Sequence, residues 1–369
     1  MNIVMFGHKR VPSREGGVEI VVEELASRMV ERGHNVLCIN RKGHHVSGSE
    51  FDIEKMSSYK GINLCSVITL DKKGLAAITS SFFAAIKASF RRYDIVNIHA
   101  EGPAAMSFIP KLFGKKVIVT IHGLDWARAK WGRFARKYIK FGEIQAVKNA
   151  DQIIVLSRAV QKYFKDTYNR DTVYIPNGIV KPQKTTVNAI SERWNLKKDS
   201  YVLYLGRIVP EKGIHYLIKA WKSIATDKTL VIAGGCSDSD SYMLELKIEA
   251  KELKNVIFTG FVQGRILEEL YSNAYIYVLP SDLEGMPLSL LEAMSYGNCC
   301  LTSDISECKE VAEENALYFS HGNIKDLQDQ LQYLLCSPEV VYSYKEHSSE
   351  FITSKYNWDV VVDKIISLY

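Results

Sequence analysis

Short runs of β-branched and aromatic residues alternate with helix-length amphipathic stretches along the whole chain, and this alternation leaves few architectures open. In the first half, strands are predicted near residues 2–7, 35–40, 62–69, 94–99, 116–121, 152–156 and 172–175. Helices are predicted near 18–32, 75–91, 103–113, 128–148 and 158–166. Strands separated by helices pair in parallel through crossovers, which makes a doubly wound α/β domain. Asn177-Gly178 closes this series, and a polar stretch runs on to about Ile190. A second series follows, with strands near 201–205, 229–233, 256–259, 275–279 and 299–302. The 369 residues are enough for two full cores. Two Rossmann-like domains are therefore expected, over 1–180 and 181–348. Residues 349–369 are read as one further helix.

Two loops of the second half carry candidate chemistry. After the strand-like Tyr275–Pro280 comes Glu284-Gly285-Met286-Pro287-Leu288-Ser289-Leu290-Leu291-Glu292, and Gly297 stands beyond it. Proline at a first helical position and glycine past the last turn frame a short helix. The amides of Gly285, Met286 and Leu288 then crowd its N-terminus, where backbone N–H groups and the macrodipole favour an anion. Glu284 lies in the entering loop and Glu292 within the helix. Two carboxylates around an anion site suit a ligand with hydroxyls at both ends and phosphate between, such as a nucleotide-sugar. An ordinary amphipathic helix with a surface glutamate is the plain alternative. The other loop, Gly206-Arg207-Ile208-Val209-Pro210-Glu211-Lys212-Gly213, follows the strand Tyr201–Leu205 and precedes a helix predicted over 214–224. Arg207 offers a rigid donor fork and Lys212 a compact point charge, and both can converge on an anion.

Taken together, these motifs resemble the donor site of retaining glycosyltransferases of GT-B fold, especially glycosyltransferase family 4 (glycosyl transferases group 1). The resemblance covers essentially the whole chain. It implies two Rossmann-like domains facing across a cleft, with the last helix crossing back to the first domain. It further implies that Arg207 and Lys212 grip the diphosphate, Glu292 the nucleotide ribose, and Glu284 with the amides of residues 285–288 the sugar. Gly16-Gly17, between the first strand and helix, would border the donor phosphates and the acceptor pocket; a tight turn accounts for it equally well. Thr120-Ile121-His122-Gly123-Leu124-Asp125 lies at the carboxyl end of a strand, where open α/β sheets present ligand-binding loops. By resemblance, His122 sits beside the donor sugar. Asp125 and His99 are candidates for the acceptor side.

Charge is divided unevenly. Residues 1–180 hold 28 Lys/Arg against 16 Asp/Glu, a net of +12; residues 181–369 hold 19 against 26, a net of −7. A basic half meets something anionic: nucleic acid, a membrane surface or a lipid diphosphate. From Trp126 to Phe141 there are six cations (Arg128, Lys130, Arg133, Arg136, Lys137 and Lys140) and no acid, with Trp131, Phe134, Tyr138 and Phe141 on the adjoining helical face. This helix either lies on an anionic leaflet or turns its aromatics to the core.

Other signals exclude more than they assign. Seven scattered cysteines show no metal-ligand spacing and read as reduced thiols. No apolar run reaches a membrane span. The first strand lacks the flanks of a signal peptide. The expected location is cytoplasmic, peripheral on the inner face of the plasma membrane. Asp238-Ser239-Asp240 reads as loop and helix-cap chemistry, so no metal is expected. Residues 43–49 loosely match a P-loop but lack its lysine, and no Gly-x-Gly-x-x-Gly is present. No cofactor is expected. The donor is expected to be a UDP-sugar, with GDP- and dTDP-sugars open, and the acceptor a lipid-diphosphate-linked saccharide of surface-polysaccharide synthesis. A sugar phosphorylase or a nucleotide-sugar epimerase would share the architecture, though no lysine suits pyridoxal phosphate. A nucleic-acid-binding protein would need a recognition motif, and none is seen.

Overall fold

The computed structural model describes residues 1–42, 56–70, 72, 74–90, 93–128, 131–236 and 240–369. The P-loop-like run at 43–49, Lys130 and Asp238 lie outside them. The chain forms two compact units, Met1–Gly178 with Trp358–Tyr369, and Ile179–Asn357.

The first unit contains β1 (Asn2–Phe6), α1 (Gly17–Glu31), β2 (Asn35–Arg41), β3 (Ser58–Tyr59), β4 (Ile62–Val67), α2 (Leu75–Phe90), β5 (Ile95–His99), α3 (Glu101–Ala104), α4 (Phe108–Leu112), β6 (Lys116–Ile121), α5 (Arg133–Asn149), β7 (Gln152–Val155), α6 (Arg158–Tyr168) and β8 (Val173–Tyr174). Its sheet order is β3-β4-β2-β1-β5-β6-β7-β8, parallel except for β3. The path from β1 to β2 runs one way across this sheet. Those from β4 to β5, β5 to β6 and β6 to β7 run the other way. Right-handed crossovers therefore put α1 on one face and α2 to α6 on the other.

The second unit contains α7 (Ala189–Trp194), β9 (Tyr201–Leu205), α8 (Ile214–Trp221), β10 (Thr229–Ala233), α9 (Asp240–Glu249), β11 (Val256–Gly260), α10 (Gly264–Asn273), β12 (Ile276–Leu279), α11 (Leu288–Ser295), β13 (Cys299–Ser303), α12 (Ser306–Ala312), β14 (Leu317–Phe319), α13 (Ile324–Cys336) and α14 (Pro338–Lys355). Its order is β11-β10-β9-β12-β13-β14, all parallel. Strands β9, β12 and β13 are buried along their full length, as expected of a sheet covered on both faces. The order reverses direction between β9 and β12. The carboxyl ends of these two strands thus form the topological switch point, where such sheets bind ligands.

Three expectations are corrected. The boundary expected at 348/349 falls inside α14, and the chain rejoins the first unit at Trp358, opening α15 (Trp358–Ile366). The joint is specified by contact: Ile179 N–H donates to Tyr356 O (2.7 Å), while Trp358 packs so closely on Gly178 that a Cβ there would meet its ring at 2.5 Å. Arg32 then holds α15 to α1 through Asp359 and Asp363 (2.9 and 2.7 Å). The helix predicted over 103–113 is two short helices, α3 and α4. The helix predicted from 128 begins at Arg133, after a 3-10 turn at Asp125–Ala127, because Arg128 turns back to pair with Asp125 (2.9 Å). All seven cysteines are free, and no described helix is long and apolar enough to cross a membrane.

Candidate active site

In the second unit the switch point is built from two loops tied to each other. Buried tyrosines anchor the first. Tyr204 ends its ring at the Arg207 carbonyl, its hydroxyl donating at 2.8 Å, and Tyr277 donates to Leu205 O at 3.2 Å. A large apolar ring thus fills the core while its polar tip fixes a loop. Gly206 and Ile208 donate to Ala233 O and Gly235 O (both 3.0 Å). Asp282 N–H donates to Glu211 O (2.9 Å), joining the β9 loop to the β12 loop. Gly213 permits that approach: its φ is +65°, and a Cβ would strike Pro280 O at 1.9 Å.

This scaffold brings Lys212 and Glu284 together. Lys212 Nζ lies 2.5 Å from Glu284 Oε1, with both side chains largely buried (13% and 7% exposed). Ser281 Oγ donates to the same oxygen at 2.7 Å. Arg207 extends half-buried from the same loop as Lys212. Tyr204 is pushed well above its ordinary pKa by burial first and then by Glu284, and it stays a neutral donor. Beyond Gly285 and the buried Met286, α11 starts at Leu288 with Pro287 as its N-cap, so the proline stands one place earlier than predicted. Pro287 O accepts from Leu290 and Leu291 (3.0 and 3.1 Å). The amides of Leu288 and Ser289 precede any carbonyl that the helix can offer them. Glu292, one turn on, accepts from Tyr271 Oη at 3.1 Å; Tyr271 stacks on Tyr296 with ring centroids 5.3 Å apart.

Three participants were missed in sequence. Ser281 and Tyr271 carry no local motif, and their roles arise from pairing across the fold. Glu211 was visible inside the quoted loop but not singled out. It is 7% exposed, and neither carboxylate oxygen has a hydrogen-bond partner among the described residues. Such a group is unusual enough to mark a ligand-facing or water-linked position.

In the first unit, His8 follows β1, His99 ends β5 and His122 follows β6. His99 Nδ1 and His122 Nε2 are 3.0 Å apart, and His8 Nε2 meets Asn40 Oδ1 at 3.0 Å. Burial holds all three neutral: His8 and His122 are lowered to about 4, and His99 well below its ordinary value. His99 is thus the direct partner of His122. Asp125 pairs with Arg128, and its N–H donates to Glu101 (2.7 Å), a fully buried carboxyl pushed well up by burial, Asp125 and Glu143. Gly16 is the extended N-cap of α1, and a Cβ there would meet Glu19 Oε2 at 2.7 Å; Gly17 is the first helical residue. The basic helix is also rearranged. Lys140 sits 3.7 Å above the Trp126 ring, whereas Phe134 and Phe141 face outward and the core takes Ile139, Gly142 and Ala146. No group of ligands able to hold a metal occurs among the described residues.

Comparison with known proteins follows this division. The model of Glycosyltransferase Family 4 matches residues 15–180, and that of Glycosyl transferases group 1 matches residues 187–358. An uncharacterized glycosyltransferase of Methanocaldococcus jannaschii is 23% identical over 100% of this chain and 98% of its own length. An Escherichia coli UDP-Gal:α-D-GlcNAc-diphosphoundecaprenol α-1,3-galactosyltransferase is 25% identical over 83% of this chain and 81% of its own. Among solved structures, Anabaena HepE in complex with UDP-glucose superposes with a TM-score of 0.83 at 17% identity, covering 100% of this chain and 98% of HepE.

Proposed function

This chain belongs to the glycosyltransferases of GT-B fold, and we propose that it moves a hexosyl or deoxyhexosyl group from a UDP-sugar to a hydroxyl of a lipid-linked saccharide with retention of configuration. The observation that carries this reading is the Lys212–Glu284 pair at the carboxyl ends of β9 and β12, beside Arg207 and the start of α11. A leaving diphosphate needs positive charge held in place before the bond breaks. Arg207, Lys212 and the first amides of α11 supply it without reorganisation. Glu284 balances the lysine charge and sets its position, so Lys212 exchanges one anionic partner for another as the diphosphate arrives.

In this reading Glu292 accepts from the ribose hydroxyls, oriented by Tyr271. Glu284 and the backbone of Gly285, Met286, Pro287 and Leu288 hold the sugar. Gly16 and Gly17 border the phosphates and the acceptor, and His122, set by His99, serves the sugar end. Asp125, engaged with Arg128, acts on the acceptor side through the loop that it anchors. Retention follows when the departing phosphate accepts the acceptor's proton on the face it leaves. The UDP donor is supported by HepE, solved with UDP-glucose. The lipid-linked acceptor is supported by the Escherichia coli relative, whose name specifies a diphosphoundecaprenol-linked sugar. The basic first half would then meet an anionic inner leaflet, with the protein peripheral and cytoplasmic.

A thermal-shift panel of UDP-, GDP- and dTDP-sugars in excess EDTA tests the donor. A true donor at a hundred times its dissociation constant contributes about 2.7 kcal/mol. Proton NMR of the product's anomeric coupling then tests retention. An inverted anomer, or stabilisation that requires added magnesium, overturns the corresponding part.

A further inference from the structure

Helix α2 carries large apolar side chains on its outer side as well as its inner one. A surface helix ordinarily turns its large apolar side chains to the core and its charges to water. Here the fully buried positions are Ala76, Ser80, Ser81, Ala84, Ala85, Ala88 and Ser89, with Phe83 and Ile86 half-buried against the core. The serine hydroxyls are satisfied within the helix, Ser80 donating to Ala76 O, Ser81 to Ala77 O and Ser89 to Ala85 O at 2.6–2.7 Å. The outer side carries Leu75, Phe82 and Phe90, all exposed, and the sixteen residues contain a single charge, Lys87.

The neighbouring helices continue this surface. Phe113, just past α4, meets Phe90 edge-to-face at 4.9 Å, and Leu112 beside it is 79% exposed. Phe108 on α4 and Phe134 and Phe141 on α5 are exposed as well. Every exposed phenylalanine among the described residues lies on α2, α4 or α5 or at the end of α4, on the one face of the sheet that the crossovers assign to these helices. The second unit exposes none. The same stretch, residues 72–149, holds 15 Lys/Arg against four Asp/Glu, and two of those four, Glu101 and Glu143, are buried. Exposed aromatic and aliphatic groups set among cations, with almost no exposed acid, match an anionic bilayer: acyl chains for the rings and headgroups for the charges.

We propose that the α2–α4 surface of the first unit, centred on Phe90, Leu112 and Phe113, enters the acyl region of an anionic membrane, while the α5 cations Arg133, Arg136 and Lys137 hold the headgroups. The proposal deepens the reading of a lipid-linked acceptor and rests on it for its biological sense. It differs from attachment by charge alone, because the apolar part resists salt and the ionic part does not.

Co-sedimentation with vesicles of equimolar phosphatidylglycerol and phosphatidylcholine, without donor or acceptor, tests it independently of the reaction. Wild-type protein binds, and part of the binding persists in high salt. Phe90→Ser with Leu112→Ser and Phe113→Ser removes the salt-resistant part, weakening binding at least about tenfold. Arg133→Gln with Arg136→Gln and Lys137→Gln removes only the salt-sensitive part. Phe113→Trp, which preserves an aromatic and hence the fold, gains emission that is quenched by lipid brominated in its acyl chains. Absence of quenching by bound protein, binding abolished entirely by salt, or a stable dimer that buries Phe90 and Phe113 would each overturn the proposal. A donor panel that fails while vesicle binding stands would instead count against the reaction.

Discussion

The two units share one construction and place their polar chemistry in opposite ways. In the second, charge is concentrated at the strand ends: Lys212, Glu284 and Arg207 lie at a switch point, tyrosine hydroxyls pin the loops, and the described helices expose no phenylalanine. In the first, the strand ends carry buried histidines held neutral, and the cations are displaced to the helices, where they stand beside exposed phenylalanines. Parallel sheets fix where loops converge. The residues delivered there decide whether that place handles an anion or a neutral, hydroxyl-rich group. In the proposed reading the diphosphate and, through Glu284, the sugar fall to the second unit, and the acceptor and the membrane surface to the first.

The largest effect expected from this division is on turnover. Arg207→Ala or Lys212→Ala should lower kcat by about a hundred- to a thousandfold, since each removes one preorganised charge from the leaving group. Arg207→Ala should leave the unfolding midpoint little changed, whereas Lys212→Ala also leaves the largely buried Glu284 without its cation and should lower it. Normal turnover of both variants at saturating donor would erase the contrast between the units.

Two glycines separate the units by stability. Gly142→Ala would drive a Cβ to 1.9 Å from Glu101 O, and Gly213→Ala to the same distance from Pro280 O. Each should cost about 1–3 kcal/mol in denaturant unfolding, more where the backbone cannot shift. Only Gly213→Ala should also weaken UDP binding. Equal loss of UDP affinity in both would mean that the nucleotide is not read by the second unit's loops alone.

Acid should act on the first unit before the second. His8, His99 and His122 have folded pKa values below their unfolded 6.5, so between pH 6.5 and about 4 the unfolded state binds more protons and stability falls as pH falls. Glu101, raised by burial, works in the opposite direction above its unfolded 4.5, but it is one group against three. Hydrogen exchange at pH 5 should show earlier loss of protection in β1, β5 and β6 than in β9 and β12. The reverse order would mean that the histidines are not held as described.

A smaller effect divides the two glutamates. Glu292→Gln should weaken free UDP several-fold, because an amide accepts from ribose hydroxyls less strongly than a carboxylate, whereas Glu284→Gln should act on the sugar. Calorimetry that found Glu284→Gln the more damaging for UDP would exchange their assignments.

What could be read in sequence was local. Arg207, Lys212 and Glu284 stand in loops after strong strand patterns, with Glu292 in the helix that follows, and the strand–helix rhythm carries the architecture. What could not be read was pairing across the fold. Lys212 finds Glu284 over 72 residues, Tyr271 finds Glu292 over 21, and His99 meets His122 across a strand pair. The return at Trp358 was hidden for the same reason, because the break between α14 and α15 is stabilised by Gly178 and Ile179, far away in sequence. Helix α2 shows a further limit: its composition announces a buried helix, and only the packed alanines and serines reveal which side faces out.

The most direct test of the central claim is a crystal structure with UDP bound. The account predicts the diphosphate within hydrogen-bond distance of Lys212 Nζ and the Arg207 guanidinium, at the start of α11, with the ribose hydroxyls on Glu292. A nucleotide bound away from the ends of β9 and β12, or with its ribose on Glu284 and its phosphates far from Lys212, would contradict it.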